Sequence, residues 1–143
     1  MSTPVDILLV EDNPDDADLT LRALRNASPT ARVEHVEDGA KAIDFLFGNG
    51  SAGRAPRFIL LDLKLPKVDG LEVLRRIKRD PRTRRIPVVM LTSSSEERDV
   101  AESYEIGVSS YIVKPVNFDE YLALVADVVH YWSERNTLPS RGG

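Results

Sequence analysis

Short apolar runs alternate with longer amphipathic stretches along the whole chain. "DILLV" (Asp6–Val10) reads as a first strand. From Asp15 to Ser28, Ala17, Leu21, Leu24 and Ala27 recur at helical spacing, with Asp15 and Asp16 where a helix N-terminus favours negative charge. "ARVEHV" (Ala31–Val36) alternates as a half-exposed edge strand does, and "AKAIDFLF" (Ala40–Phe47) predicts a short helix. A Gly-rich loop, Gly48–Pro56, leads to "FILLDL" (Phe58–Leu63), the third strand. "DGLEVLRRIKRD" (Asp69–Asp80) predicts a helix with Leu71, Leu74, Ile77 and Lys78 on one face, closed by Pro81. "PVVMLTS" (Pro87–Ser93), a helix from Glu96 to Tyr104 ended by Gly107, "SSYIVKP" (Ser109–Pro115) and a last helix, Phe118–Trp132, complete the series. Five strands alternating with five helices predict a parallel sheet covered on both faces, its central strands apolar on both sides.

With 143 residues and no internal repeat or linker, one domain is expected over 1–143, its core at about 5–132 and a polar tail at 133–143. The absence of cysteine excludes disulfides and thiol chemistry and fits a cytoplasmic location. The N-terminus lacks the pattern of a secretory signal, and no apolar run approaches the roughly 20 residues of a membrane helix. A net charge of −4 gives no general electrostatic reason to bind nucleic acid. The local exception is "RRIKRDPRTRR" (Arg75–Arg85), with seven basic residues and one Asp. It fits either a docking patch for an acidic partner or a solvated helix end whose cations complement the dipole.

Asp62 interrupts an apolar strand, and an unpaired buried carboxylate is costly. In doubly wound sheets ligands bind beyond the carboxyl ends of the strands. Those ends carry Glu11 and Asp12, then Asp62, then Thr92 and Ser93, then Lys114. Two carboxylates about 4 Å apart repel by roughly 4 kcal/mol at a surface-like dielectric, so three acids on one rim call for a cation. An oxygen-only ligand set selects a hard divalent ion: Mg²⁺ first, with Mn²⁺ or Ca²⁺ in its place. Mg²⁺ keeps several waters and favours one or two carboxylates plus a phosphoryl oxygen, so the site should be completed by a phosphoryl group.

"LLVEDN" (Leu8–Asn13), "LLDLKLPKVDG" (Leu60–Gly70), "VVMLTSS" (Val88–Ser94) and "SYIVKPV" (Ser110–Val116), in this order and spacing, resemble the receiver domain of two-component response regulators. The resemblance covers nearly the whole chain and implies a flavodoxin-like (βα)5 fold with strand order 2-1-3-4-5. It implies Asp62 as phosphoacceptor, with Asp12, Glu11, Asp62 and the Lys64 backbone carbonyl as metal ligands. Thr92 matches the hydroxyl that bonds the phosphoryl group, Lys114 the lysine that pairs with it, and Tyr111 the aromatic switch. Pro115 matches a proline usually preceded by a cis peptide bond. The implied function is that of a phosphoacceptor rather than an enzyme: Asp62 takes phosphate from a histidine kinase, and the helix 4–strand 5–helix 5 face changes its preference for partners. Lys64 and Ser94 occupy positions that tune the acyl phosphate in such proteins; Lys64 either contacts the phosphoryl group or is a solvated rim lysine. "GNGSAGRAP", "SSSEERDVAESYEIG" and "KPVNFDEY" look like stand-alone regulators paired with phytochrome-type sensor kinases.

The last helix is unusually apolar. Phe118, Leu122, Val125, Val129 and Trp132 form one face and Tyr121, Leu124, Val128 and Tyr131 a second, which suggests a homodimer; a tail-covered helix is the alternative. His35 and His130 are expected to lie far from the acidic rim. Two competing functions stand beside the receiver: an aspartyl-phosphate phosphatase, disfavoured because Lys64 replaces the second acid of its "DxD" pattern, and a receiver-like scaffold that takes no phosphate. A flavin or nucleotide module is disfavoured by the acidic, glycine-free loop after strand one.

Overall fold

The computed structural model describes residues 5–48 and 55–137. Its elements follow in chain order as β1 (Ile7–Val10), α1 (Pro14–Ala27), β2 (Val33–Val36), α2 (Gly39–Phe47), β3 (Phe58–Leu61), α3 (Gly70–Arg79), β4 (Val88–Thr92), α4 (Glu97–Ile106), β5 (Ser110–Val113) and α5 (Phe118–His130). The five strands form one parallel sheet in the order β2-β1-β3-β4-β5, the expected flavodoxin-like arrangement.

Alternation along each central strand divides the interior into two cores. Leu8 and Val10, Ile59 and Leu61, and Val88 and Met90 face the layer that holds Val73, Leu74 and Ile77 of α3. Ile7 and Leu9, Phe58 and Leu60, and Val89 and Leu91 face Leu24 of α1 and Val125, Val128 and Val129 of α5. Every residue of β1, β3 and β4 is buried, whereas the edge strands β2 and β5 are largely half-exposed.

Local chemistry sets the helix starts. Asn13 caps α1, its side chain accepting from the Asp15 and Asp16 amides, and Pro14 occupies the first turn, where a missing N–H costs nothing. Asp38 and Asn117 cap α2 and α5 in the same way. Gly107 ends α4 at φ 126°, a conformation that side chains rarely adopt.

Two expectations are corrected. The last helix stops at His130 and passes into a π-turn over Tyr131–Arg135, rather than running through Trp132. Its buried stripe is Tyr121, Val125, Val128 and Val129, drawn from both expected faces, while Phe118 and Tyr131 are exposed. The reason is the rotation of α5 over α1 and β4, where 3.6-residue periodicity places Tyr121, Val125 and Val128 inward together. Of the expected loop Gly48–Pro56, residues 49–54 lie outside the described residues, as do 138–143 of the tail.

The basic stretch is largely engaged at home. Arg75 and Arg79 pair with Glu72, Arg75 also with Glu102, and Arg82 with Asp80. Lys78 donates to the carbonyls of Arg84 and Ile86, and Arg76 and Arg82 lie over the Phe47 ring. The solvated helix end is the reading these contacts favour.

Candidate functional site

The register of the parallel sheet brings the last residues of β1 and β3 side by side, Val10 opposite Leu61, so the residues that follow them emerge together. Glu11 and Asp12 leave β1, and Asp62 leaves β3 with its amide donating to the Val10 carbonyl at 3.1 Å. Lys114 follows β5, its amide donating to the Thr92 carbonyl at 2.7 Å. The side chains of Glu11, Asp12 and Asp62 each offer an oxygen, all within 4.8 Å of one another.

Asp62 has its cation. The Lys114 ammonium, only 8% exposed, donates to Glu11 Oε1 at 2.6 Å, Asp16 Oδ2 at 3.1 Å and Asp62 Oδ2 at 3.3 Å. Glu11 is buried; Asp12 is exposed and open to solvent. Burial pushes the Glu11 carboxyl up, the Lys114 hydrogen bond opposes it, and Asp62 raises it again, with a net position of about 7. Burial by itself would lower the Lys114 ammonium, but hydrogen bonding to Glu11 and the nearby Asp62 charge raise it, so it stays charged. Carboxylates outnumber the ammonium, and the trio of oxygens suits a hard divalent cation.

On the other side of the site, Thr92 ends β4 fully buried and accepts from the Ser94 amide at 3.4 Å. Ser94 donates its hydroxyl to Asp99 Oδ2 at 2.5 Å, and the Tyr111 hydroxyl donates to the Ser94 carbonyl at 2.9 Å. Desolvation raises the Tyr111 phenol, which favours the neutral donor. Lys64 lies at the rim, its side chain exposed and its amide 3.4 Å from Asp62 Oδ1. Gly70 is required by close approach: a Cβ there would meet the Asp62 carbonyl oxygen at 2.3 Å.

Glu11, Asp12, Asp62 and Lys114 therefore meet at one edge, with Thr92 at the end of the neighbouring strand β4 and Tyr111 joined to Ser94 beyond it, and three features depart from expectation. No cis peptide occurs among the described residues, so the Lys114–Pro115 bond is not cis; an X–Pro bond prefers trans by about 0.5–1 kcal/mol, and here the trans chain already delivers Lys114 to its carboxylates. His35 is not remote: β2 neighbours β1, and the His35 Nε2–H donates to the Glu11 carbonyl at 2.9 Å. Asp16 was legible only as a helix-start acid and Asp99 was not singled out, because reach across the fold, unlike the dipole preference, leaves no mark in local sequence. Among the described residues, the His35 contact had one available signal, its place opposite Leu9, two residues before Glu11, in an edge strand.

Comparison with known proteins places this geometry in context. The response regulator receiver domain profile matches residues 7–126. The chain is 45% identical over 137 residues to the probable methanogenesis regulatory protein FilR2 of Methanothrix harundinacea, covering 95% of this chain and 88% of that one. It is 42% identical over 139 residues to response regulator Rcp1 of Synechocystis sp., covering 96% and 95%. The crystal structure of the Mn(2+)-bound form of Rcp1 superposes with a TM-score of 0.87 at 41% identity, covering 96% of this chain and all of that one. That of the phosphorylated cyanobacterial phytochrome response regulator RcpA gives a TM-score of 0.89 at 42% identity over the same shares.

Proposed function

This chain belongs to the response regulator receiver domain family, and from that premise we propose that it is a stand-alone response regulator phosphorylated on Asp62 by a partner histidine kinase. The observation that carries the reading is the convergence on Asp62 of a buried lysine and two further acids at the carboxyl edge of the sheet.

An Asp62 carboxylate oxygen forms a bond to phosphorus while the P–N bond to the kinase histidine breaks, its electron pair passing to the imidazole. Lys114 places an ammonium where charge builds on the phosphoryl oxygens, and Thr92 offers its hydroxyl to the same group. The side chains of Glu11, Asp12 and Asp62 fit Mg²⁺, with the Lys64 backbone carbonyl as a further ligand; bound there, the ion supplies charge neutralisation for the transferring group. The Mn(2+)-bound form of Rcp1 supports this assignment and makes Mn²⁺ a natural substitute.

The acyl phosphate adds a charge of about −1.5 to −2 that attracts the Thr92 hydroxyl. Movement of the β4–α4 loop would break the Tyr111–Ser94 contact and free Tyr111 to turn inward. The face that responds carries exposed apolar residues from three elements: Tyr104 of α4, Val113 of β5, and Val116 and Phe118 at the start of α5. We assign a homodimer contact to this face, because exposed apolar groups are favourable to cover. A phytochrome-type kinase is the proposed partner, supported by the likeness to Rcp1 and RcpA. One receiver domain over the chain and a cytoplasmic location complete the reading. No helix among the described residues is long and apolar enough to cross a membrane.

Incubation with Mg²⁺ and acetyl phosphate, followed by intact-mass measurement, tests the assignment. One added phosphoryl group, absent in Asp62→Asn, is expected. Catalytic turnover of varied phosphate esters would instead indicate a phosphatase, and a chain that takes no phosphate would be a scaffold.

A further inference from the structure

The ammonium of Lys114 has three protons, and three carboxylates take them. To donate to a phosphoryl oxygen, Lys114 must release at least one of these partners. Glu11 is 3% exposed, so releasing it would strand a carboxylate away from water. Asp62 is the acceptor itself and adjoins the incoming group. Asp16 is different: its side chain is 42% exposed, and water can replace the lysine.

Asp16 is also presented firmly. It lies in the first turn of α1, its amide donating to the Asn13 side chain at 3.0 Å. Its carbonyl accepts from the Thr20 hydroxyl at 2.8 Å, and that hydroxyl is hydrogen-bonded to the Tyr121 phenol of α5. The carboxylate is thus held over Lys114 by α1, whose capping residue Asn13 also donates its amide to Glu11 Oε2 at 3.1 Å.

We propose that Asp16 is a positioning residue that holds the Lys114 ammonium away from an incoming phosphoryl group and so slows phosphorylation of Asp62. The inference rests on the receiver function proposed above and adds to it a residue that sets its rate.

The test follows phosphorylation by acetyl phosphate over time, by intact mass, at saturating Mg²⁺. Asp16→Asn, and independently Asp16→Ser, should react about two- to fivefold faster than the native chain, the worth of one partly exposed ion pair. Asp16→Glu, which keeps the charge, should return most of the way to the native rate. Placed on a Lys114→Gln background, Asp16→Asn should give no gain. An equal gain on both backgrounds would assign Asp16 to the general negative field and overturn its action through Lys114. Native protein that is phosphorylated, with both Asp16 variants equal to it or slower, overturns this inference alone. Native protein that takes no phosphoryl group overturns the receiver function and this inference with it.

Discussion

At the carboxyl ends of the strands, three carboxylates share one ammonium; at the opposite end of the sheet, the stretch Arg75–Arg85 carries seven basic residues and one acid. The first cluster has the fewer charges and the larger consequences. Glu11, Asp62 and Lys114 are nearly closed to solvent, so their charges act through a weakly screening medium and leave the site short of cations. The second cluster is open to water, and Glu72, Asp80, Glu102, two carbonyls and the Phe47 ring already partner much of it. Charge density alone does not make a site. Burial with incomplete neutralisation does.

The sharpest way to break this contrast is to remove the shared cation. Lys114→Met should lower stability by about 3 kcal/mol in urea denaturation at neutral pH without Mg²⁺, because it leaves buried carboxylates unpaired, and Mg²⁺ should restore part of the loss. A loss no larger than that of a surface pair would refute the claim that burial separates the two ends.

Gly70→Ala probes the backbone under the acidic site. Its Cβ would press on the Asp62 and Leu63 carbonyl oxygens, so a loss of about 1–3 kcal/mol and slower phosphorylation of Asp62 are expected, measured by denaturation and intact mass.

At the basic end, Arg82→Gln should lower the melting temperature only slightly, and the difference should fade at high salt, where exposed pairs are screened. A small difference that disappears as salt is raised would agree with the solvated reading, while a large, salt-insensitive loss would contradict it.

The smallest effect concerns acid. The Arg82 hydrogen bonds hold the Asp80 carboxyl at about 2, below its ordinary 3.8. A carboxyl lowered on folding stabilises fully above the unfolded value and loses that contribution as pH falls through the folded one. Melting temperatures of the native chain and Asp80→Asn should therefore differ slightly above pH 4 and converge towards pH 2.

The sheet and the charged cluster at its carboxyl edge were legible because burial on both faces writes continuous apolar runs, and because polar residues at strand ends stand out against them. Asp62 is conspicuous inside "FILLDL" for that reason, as are Thr92 after "VVML" and Lys114 after "SYIV". The division of α5 was not legible, since two adjacent apolar faces leave the rotation of the helix open until α1 and β4 meet it.

By itself, the order of residues determined the alternation of elements, the two-sided core and the prominence of Asp62 and Lys114 at strand ends, because these follow from periodicity and from charge placed where apolar residues are expected. Tertiary structure alone decided that Lys114 is shared with Asp16, that His35 holds the Glu11 carbonyl and that Ser94 meets Asp99. Such contacts depend on distances of a few ångströms between separate elements, and long side chains can satisfy the same local sequence while reaching different partners.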